Sequence, residues 1–153
     1  MAPHPENEQA QVKALSPSQP SPLNILLVED MEDNRVLITV LLKALPYRLE
    51  LAENGAVGVE KFQSGRYDLV LMDIHMPIMD GYEAIRIIRQ WEEDQKRGAA
   101  PIIALTGNNL EEDIEKAQAA GFTAHLTKPL KKQTLLETIR RYAISSSGKE
   151  CAA

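Results

Sequence analysis

The chain has 153 residues, 44% of them hydrophobic, and a net charge of −5. That size suits one globular domain with a packed core, and the acidic balance argues against direct binding of DNA or any phosphate backbone. The lone cysteine, Cys151, excludes an internal disulfide and a cysteine-based zinc site, while the lack of a membrane-length apolar run or a secretory leader makes the cytoplasm the expected location.

Residues 1–22 hold five of the nine prolines and no apolar period, so they are expected to be a disordered tail. "NILLV" (24–28) is a short apolar run. The segment 33–45 follows with helical spacing, and Val36, Leu37, Val40, Leu41 and Ala44 share one face that is expected to point inward. "RLELA" (48–52) alternates like a strand. Asn54 is suited to cap a helix over 55–64 that packs through Ala56, Val59 and Phe62, although Gly58 weakens that helix by about 1 kcal/mol. "DLVLM" (68–72) is a third apolar run. Asp80 then caps a helix to Glu93 with Ala84, Ile88 and Trp91 inward. "PIIAL" (101–105) is a fourth run, followed by a helix from Leu110 that stops at Gly121. "FTAHLT" (122–127) makes a fifth strand. The last helix, 131–143, carries Leu135, Ile139 and Tyr142 on one face, and 144–153 reads as a second disordered tail.

Five strand-then-helix units with continuously apolar strands predict an α/β fold: a doubly wound, five-stranded parallel sheet covered by helices on both faces, a three-layer sandwich over residues 23–143. Ligands of such sheets sit beyond the carboxyl ends of the strands. There the sequence places Glu29 and Asp30 after the first strand, Asp73 after the third, Thr106 after the fourth and Lys128 after the fifth. Three carboxylates with no Cys or His among them suit a hard cation such as Mg²⁺. A hard cation, a lysine and a hydroxyl around an exposed carboxylate suit phosphoryl chemistry, with Asp73 as nucleophile and an acyl phosphate as product.

Each of these residues has a blander reading when taken alone. Glu29 and Asp30 could be a solvated helix start, Asp73 an N-cap and Lys128 an ordinary surface lysine; the chemistry rests on their joint position at four strand ends. His4, His75 and His125 lie outside any long helix and read as non-catalytic. Met72, Met76, Met79 and Trp91 read as packing residues, and "EEDQKR" (92–97) as a solvated helix end.

"ILLVEDMEDNR", "LVLMDIHMPIMDG", "IIALTG" and "HLTKPL" together resemble the receiver domain of two-component response regulators, over about Asn24 to Tyr142. The resemblance implies a CheY-like, flavodoxin-like (βα)5 fold with strand order 2-1-3-4-5. It implies that Asp73 accepts a phosphoryl group from a phosphohistidine on a sensor histidine kinase or histidine phosphotransfer protein. Glu29, Asp30, Asp73 and the backbone carbonyl of His75 would hold Mg²⁺, Thr106 would act as switch hydroxyl, and Lys128 would pair with the phosphoryl group. It also implies a cis peptide before Pro129. Two positions depart from the pattern. His125 stands where the family's switch aromatic is usually Tyr or Phe, and Gly107 where Ala is commoner. His75 and Asn108 occupy positions that tune phosphoryl lifetime in the family.

The expected function is therefore that of a phospho-acceptor in a phosphorelay. It would be a signalling domain and not a turnover enzyme, switching a surface around the fourth helix, fifth strand and fifth helix toward a downstream effector protein. With only about ten residues after the last helix, no output domain is expected within the chain. One alternative is an interaction module indifferent to phosphate. Another is an aspartyl-phosphate phosphohydrolase of the haloacid dehalogenase type, which needs a second Asp where His75 stands. A flavin-binding domain of the same topology lacks its phosphate-cradling loop here.

Overall fold

The computed structural model describes residues 22–107 and 110–144. The expected tails, apart from Pro22 and Ile144, lie outside them, as do Cys151 and Asn108. The elements run β1 (Leu23–Val28), α1 (Glu32–Leu42), β2 (Tyr47–Ala52), α2 (Gly55–Ser64), β3 (Leu69–Asp73), α3 (Gly81–Asp94), β4 (Ile102–Thr106), α4 (Glu111–Ala120), β5 (Ala124–Thr127) and α5 (Lys132–Ile139), which continues into a π-helical turn over Arg140–Ile144. All strand pairs are parallel, in the order β2-β1-β3-β4-β5. Phe122 and Thr123 precede β5 instead of belonging to it, and the Lys128–Pro129 peptide is cis.

Alternation along the strands divides the core in two. Leu26, Val28, Val70, Met72 and Ala104 face α2, α3 and α4, where Val59, Phe62, Ile85, Ile88 and Ala117 meet them. Ile25, Leu27, Leu71, Ile103 and Leu105 face α1 and α5, against Ile38, Leu42, Leu135 and Ile139. Residues of β3 and β4 are buried throughout, as expected of strands covered on both sides. Each such Leu or Ile contributes roughly 1.5–3 kcal/mol by leaving water.

The caps predicted at Asn54 and Asp80 are formed, accepting from the amides of Val57 and Glu83 at 2.9 Å each. Gly58 has a packing reason that outweighs its propensity cost: a Cβ there would come within 2.9 Å of both Val28 methyl carbons. Trp91 packs edge-on to Phe62, with centroids 5.8 Å apart.

The structure corrects two further expectations. In α1 the buried residues are Ile38 and Leu42, supported by Leu41 and Leu45, whereas Val36, Leu37, Val40 and Ala44 are exposed. "VLITVLL" is apolar around most of its circumference, so its period could not choose the inward face. The other correction is Glu92, which is buried instead of solvated. It accepts from Arg89 Nη1 and from the Ala100 amide, both at 2.9 Å, while Arg89 also donates to the carbonyls of Ala100 and Gly121. This ion pair pins the end of α3 to the entry of β4 and the exit of α4.

The β3–α3 loop contains a tight turn in which the Met79 amide donates to the Pro77 carbonyl at 2.7 Å, with Ile78 at its centre at φ 72°. A β-branched side chain is strained at positive φ, by about 1–3 kcal/mol, and Ile78 is 81% exposed, so packing offers little in return. Ile78→Gly is expected to stabilise the domain by about 1 kcal/mol, read as a higher urea midpoint at unchanged slope.

Candidate phosphoryl-acceptor and metal site

The sheet brings the acidic residues together by register. Val28, the last residue of β1, pairs with Met72 of β3, so Glu29 and Asp73 both fall one step further along. Asp73 pairs with Leu105, which puts Thr106 one residue beyond it on the neighbouring strand, and the Lys128 amide donates to the Thr106 carbonyl at 2.7 Å. Glu29, Asp30 and Asp73 each present a carboxylate oxygen within 4.8 Å of the others'. The Lys128 ammonium lies 3.0 Å from Glu29 Oε1 and 3.3 Å from Asp73 Oδ2. Glu29 is fully buried, Asp73 and Thr106 are 5% exposed, and Asp30 is half-buried at the rim.

Glu29 is held from several sides. Its Oε2 accepts from the Met31 amide at 3.2 Å, its own amide continues the ladder to Ala52, and Arg35 donates to its carbonyl at 2.8 Å. Arg35 was not a predicted site residue, and its only signal was a cation one helical turn past an acidic pair. Glu29 Oε1 has no well-formed hydrogen bond, despite its ion pair with Lys128. A buried carboxylate oxygen left in that state fits a pocket that completes itself with a cation.

One ammonium serves two buried carboxylates, and they share it unequally. Burial acts to raise the Glu29 pKa, but Lys128 and the Met31 amide outweigh it and hold Glu29 below the usual carboxylate range. At Asp73 burial comes first and the neighbouring Glu29 charge adds to it, so Asp73 is pushed up to about 7. Burial would lower Lys128, yet the two carboxylates raise it. The pocket without a metal therefore keeps Glu29 and Lys128 charged and gives its proton to Asp73. A divalent oxygen-seeking cation would reverse that last preference, because its charge replaces the proton's.

His75 has an exposed side chain, and its amide lies 3.4 Å from Asp73 Oδ1. His125 is half-buried on β5 opposite Ala104, on the face of the sheet shared by Ala104 and Thr106 and below the carboxylate cluster. Five of the predicted residues thus converge on the carboxyl edge of the sheet: Glu29, Asp30, Asp73, Thr106 and Lys128. His125 stands apart from them along β5. No helix among the described residues is long and apolar enough to cross a membrane.

Comparison with known proteins agrees with this geometry. The profile of the response regulator receiver domain family matches residues 25–140. Histidine kinase 5 of Arabidopsis thaliana is 34% identical over 162 residues, covering 91% of this chain and 17% of the relative. Hybrid signal transduction histidine kinase G of Dictyostelium discoideum is 42% identical over 122 residues, covering 78% of this chain and 4% of the relative. The chain thus spans less than a fifth of the length of these relatives. Among solved structures, the receiver domain of a Pseudomonas aeruginosa sensor histidine kinase, with magnesium coordinated in its active site cleft, has a TM-score of 0.72 at 39% identity, covering 80% of this chain and 98% of that one. The receiver domain of the Saccharomyces cerevisiae response regulator Ssk1, in complex with the histidine phosphotransfer protein Ypd1, has a TM-score of 0.76 at 30% identity, covering 82% and 92%. From motifs, strand order and site alike, the chain belongs to the response regulator receiver domain family.

Proposed function

We propose that Asp73 is the phosphoryl acceptor of this receiver domain, within a folded unit spanning 23–143. The observation that carries the reading is the cluster itself: three carboxylates within 4.8 Å of one another, with Lys128 bridging Glu29 and Asp73. A carboxylate oxygen of Asp73 attacks the phosphorus of a phosphohistidine. The P–O bond forms as the P–N bond breaks, and the imidazole nitrogen leaves with the electron pair. Glu29, Asp30, Asp73 and the His75 carbonyl would hold Mg²⁺, which when bound offsets charge on the phosphoryl oxygens. Lys128 exchanges its contact with Asp73 for one with the new phosphoryl group, and the Thr106 hydroxyl donates to another of its oxygens. The test is labelling by a small acyl phosphate with Mg²⁺, developed in the Discussion.

The switch follows from the same contacts. Thr106 moves toward the phosphoryl group, and His125, smaller than the family's usual aromatic ring, changes its position on β5. The surface of α4, β5 and α5 then binds an effector protein differently, a population shift between two arrangements. Slow loss of the phosphoryl group by self-catalysed hydrolysis resets the domain. A cytoplasmic setting suits this chemistry, and an acidic chain suits protein partners better than DNA.

The donor is a sensor histidine kinase or a histidine phosphotransfer protein. The corrected face of α1 supports this reading: Met31 just before the helix and Val36, Leu37 and Val40 on it are 39–61% exposed. Ile78 and Leu110 add exposed apolar side chains on two further loops at the same end of the sheet. Exposed apolar side chains gathered at one end of a domain favour a protein partner there. Val36→Ser combined with Val40→Ser is expected to slow transfer from a phosphorylated histidine phosphotransfer protein by about tenfold. Labelling by a small acyl phosphate should be unchanged, because neither side chain enters the pocket.

A further inference from the structure

Asp73 ends β3, and the chain returns to it almost at once. The Gly81 amide donates to the Ile74 carbonyl at 2.7 Å, so residues 75–80 form a closed loop whose two ends touch beside the acceptor. Both flanks of this loop rest on a glycine at the first position of a helix. A Cβ on Gly81, the first residue of α3, would lie 2.6 Å from the Asp73 carbonyl oxygen and 2.8 Å from the Ile74 Cα. A Cβ on Gly55, the first residue of α2, would overlap the Met79 carbonyl oxygen and lie 3.1 Å from both its carbonyl carbon and its Cβ. The atoms met at Gly81 are all backbone, and at Gly55 mostly so, so they cannot swing aside as a flexible side chain would. Neither glycine needs its conformational freedom, since among the described residues Gly121 is the glycine at positive φ. Ala is the better helix former, so helix propensity does not ask for glycine at either position. The close approach is what demands glycine.

We propose that Gly81 and Gly55 are positioning residues for the acidic pocket. Their bare Cα atoms let the first turns of α3 and α2 press on the β3–α3 loop, and so set where the Asp73 carboxylate and the His75 peptide stand relative to Glu29 and Asp30. This rests on the proposed function in one respect, namely that the pocket takes a divalent cation. A side chain at Gly81 moves the peptide after Asp73 by a few tenths of an ångström at least. A hard cation that needs near-ideal geometry at its oxygens is sensitive to that scale.

The test is Mg²⁺ affinity, by calorimetric titration of the full chain, beside the thermal midpoint without metal. Gly81→Ala is expected to keep a cooperative transition and to bind Mg²⁺ at least about tenfold more weakly than wild type. Two comparisons separate positioning from general damage. Gly98→Ala, with nothing within 4 Å of its Cβ, should change neither quantity, and Gly121→Ala, strained at φ 120° against Arg89, should lower the midpoint while leaving affinity intact. A folded Gly81→Ala that binds Mg²⁺ within twofold of wild type overturns the positioning role. Should that variant fail to fold, Gly55→Ala carries the same expectation and the same overturning result at the other end of the loop. Failure of the wild type to bind Mg²⁺ overturns the proposed metal site, and this inference with it.

Discussion

Asp73→Asn is expected to abolish phosphoryl incorporation. With a small acyl phosphate and Mg²⁺, the wild-type chain should gain the mass of one phosphoryl group, and the variant should gain none. The amide keeps the shape of the side chain but is a far poorer nucleophile, and it cannot carry the charge that a metal and Lys128 would balance. Glu29 and Asp73 both contact Lys128 within the carboxylate cluster, but Glu29 is fully buried and further held by the Met31 amide, whereas Asp73 ends β3 and keeps a little exposure. Two further variants sharpen the result. His75→Ala should still be labelled, because the role proposed there belongs to a backbone carbonyl and the side chain is exposed. Lys128→Ala should be labelled poorly, since it removes the cation that meets both buried carboxylates. An adduct on Asp73→Asn at the wild-type level would sink the assignment.

The same substitution should stabilise the metal-free domain at pH 8. Asp73 is pushed from 3.8 up to about 7, first by burial and then by the Glu29 charge. Its folded value lies above its unfolded value, so the folded state holds the extra proton between about pH 4 and 7, and stability falls as pH rises through that window. Above it the full cost of an ionised, buried Asp73 applies, on the order of 4 kcal/mol. The side chain is only 7% exposed, which leaves little solvent screening to reduce that figure. Glu29 is shifted the other way, so its contribution is present above its unfolded value and is lost in more acidic solution. In EDTA at pH 8, Asp73→Asn is expected to melt about 10 °C above wild type, with most of the difference gone by pH 4. Mg²⁺ should narrow the gap at pH 8 by stabilising the wild type more than the variant. Equal midpoints in EDTA at pH 8 would show that Asp73 carries no electrostatic strain. Asp73 is thus a destabilised group in its ionised form, buried beside Glu29 with one shared ammonium to offset its charge.

How much of this could be read from the chain depends on the distance over which each property is set. Turn and cap chemistry is local, so Asn54 and Asp80 could be named as caps before any coordinates and are found bonded as such. Strand burial was legible because β1, β3 and β4 are covered on both faces, and an uninterrupted apolar run has few other uses. The inward face of α1 was not legible. Val36, Leu37, Val40, Ile38, Leu41 and Leu42 offer apolar surface in nearly every direction, and only packing into the core layer shared with α5 chooses between them. Glu92 misled for a related reason: inside an acidic run it looks solvated, and the groups that bury it, Arg89 and the Ala100 amide, come together only when α3 meets the entry to β4.

From residue order alone come the five βα units, the ends of the strands, and the acids, hydroxyl and lysine that stand at those ends. These follow because periodicity and strand termination depend on near neighbours along the chain. Folding in three dimensions decided the rest: that a single ammonium is divided between Glu29 and Asp73, that the proton falls to Asp73, and that two glycines let helix starts press on the loop after Asp73. Those properties depend on contacts of a few ångströms between residues tens of positions apart, and on the removal of water around them, neither of which leaves a mark in local sequence.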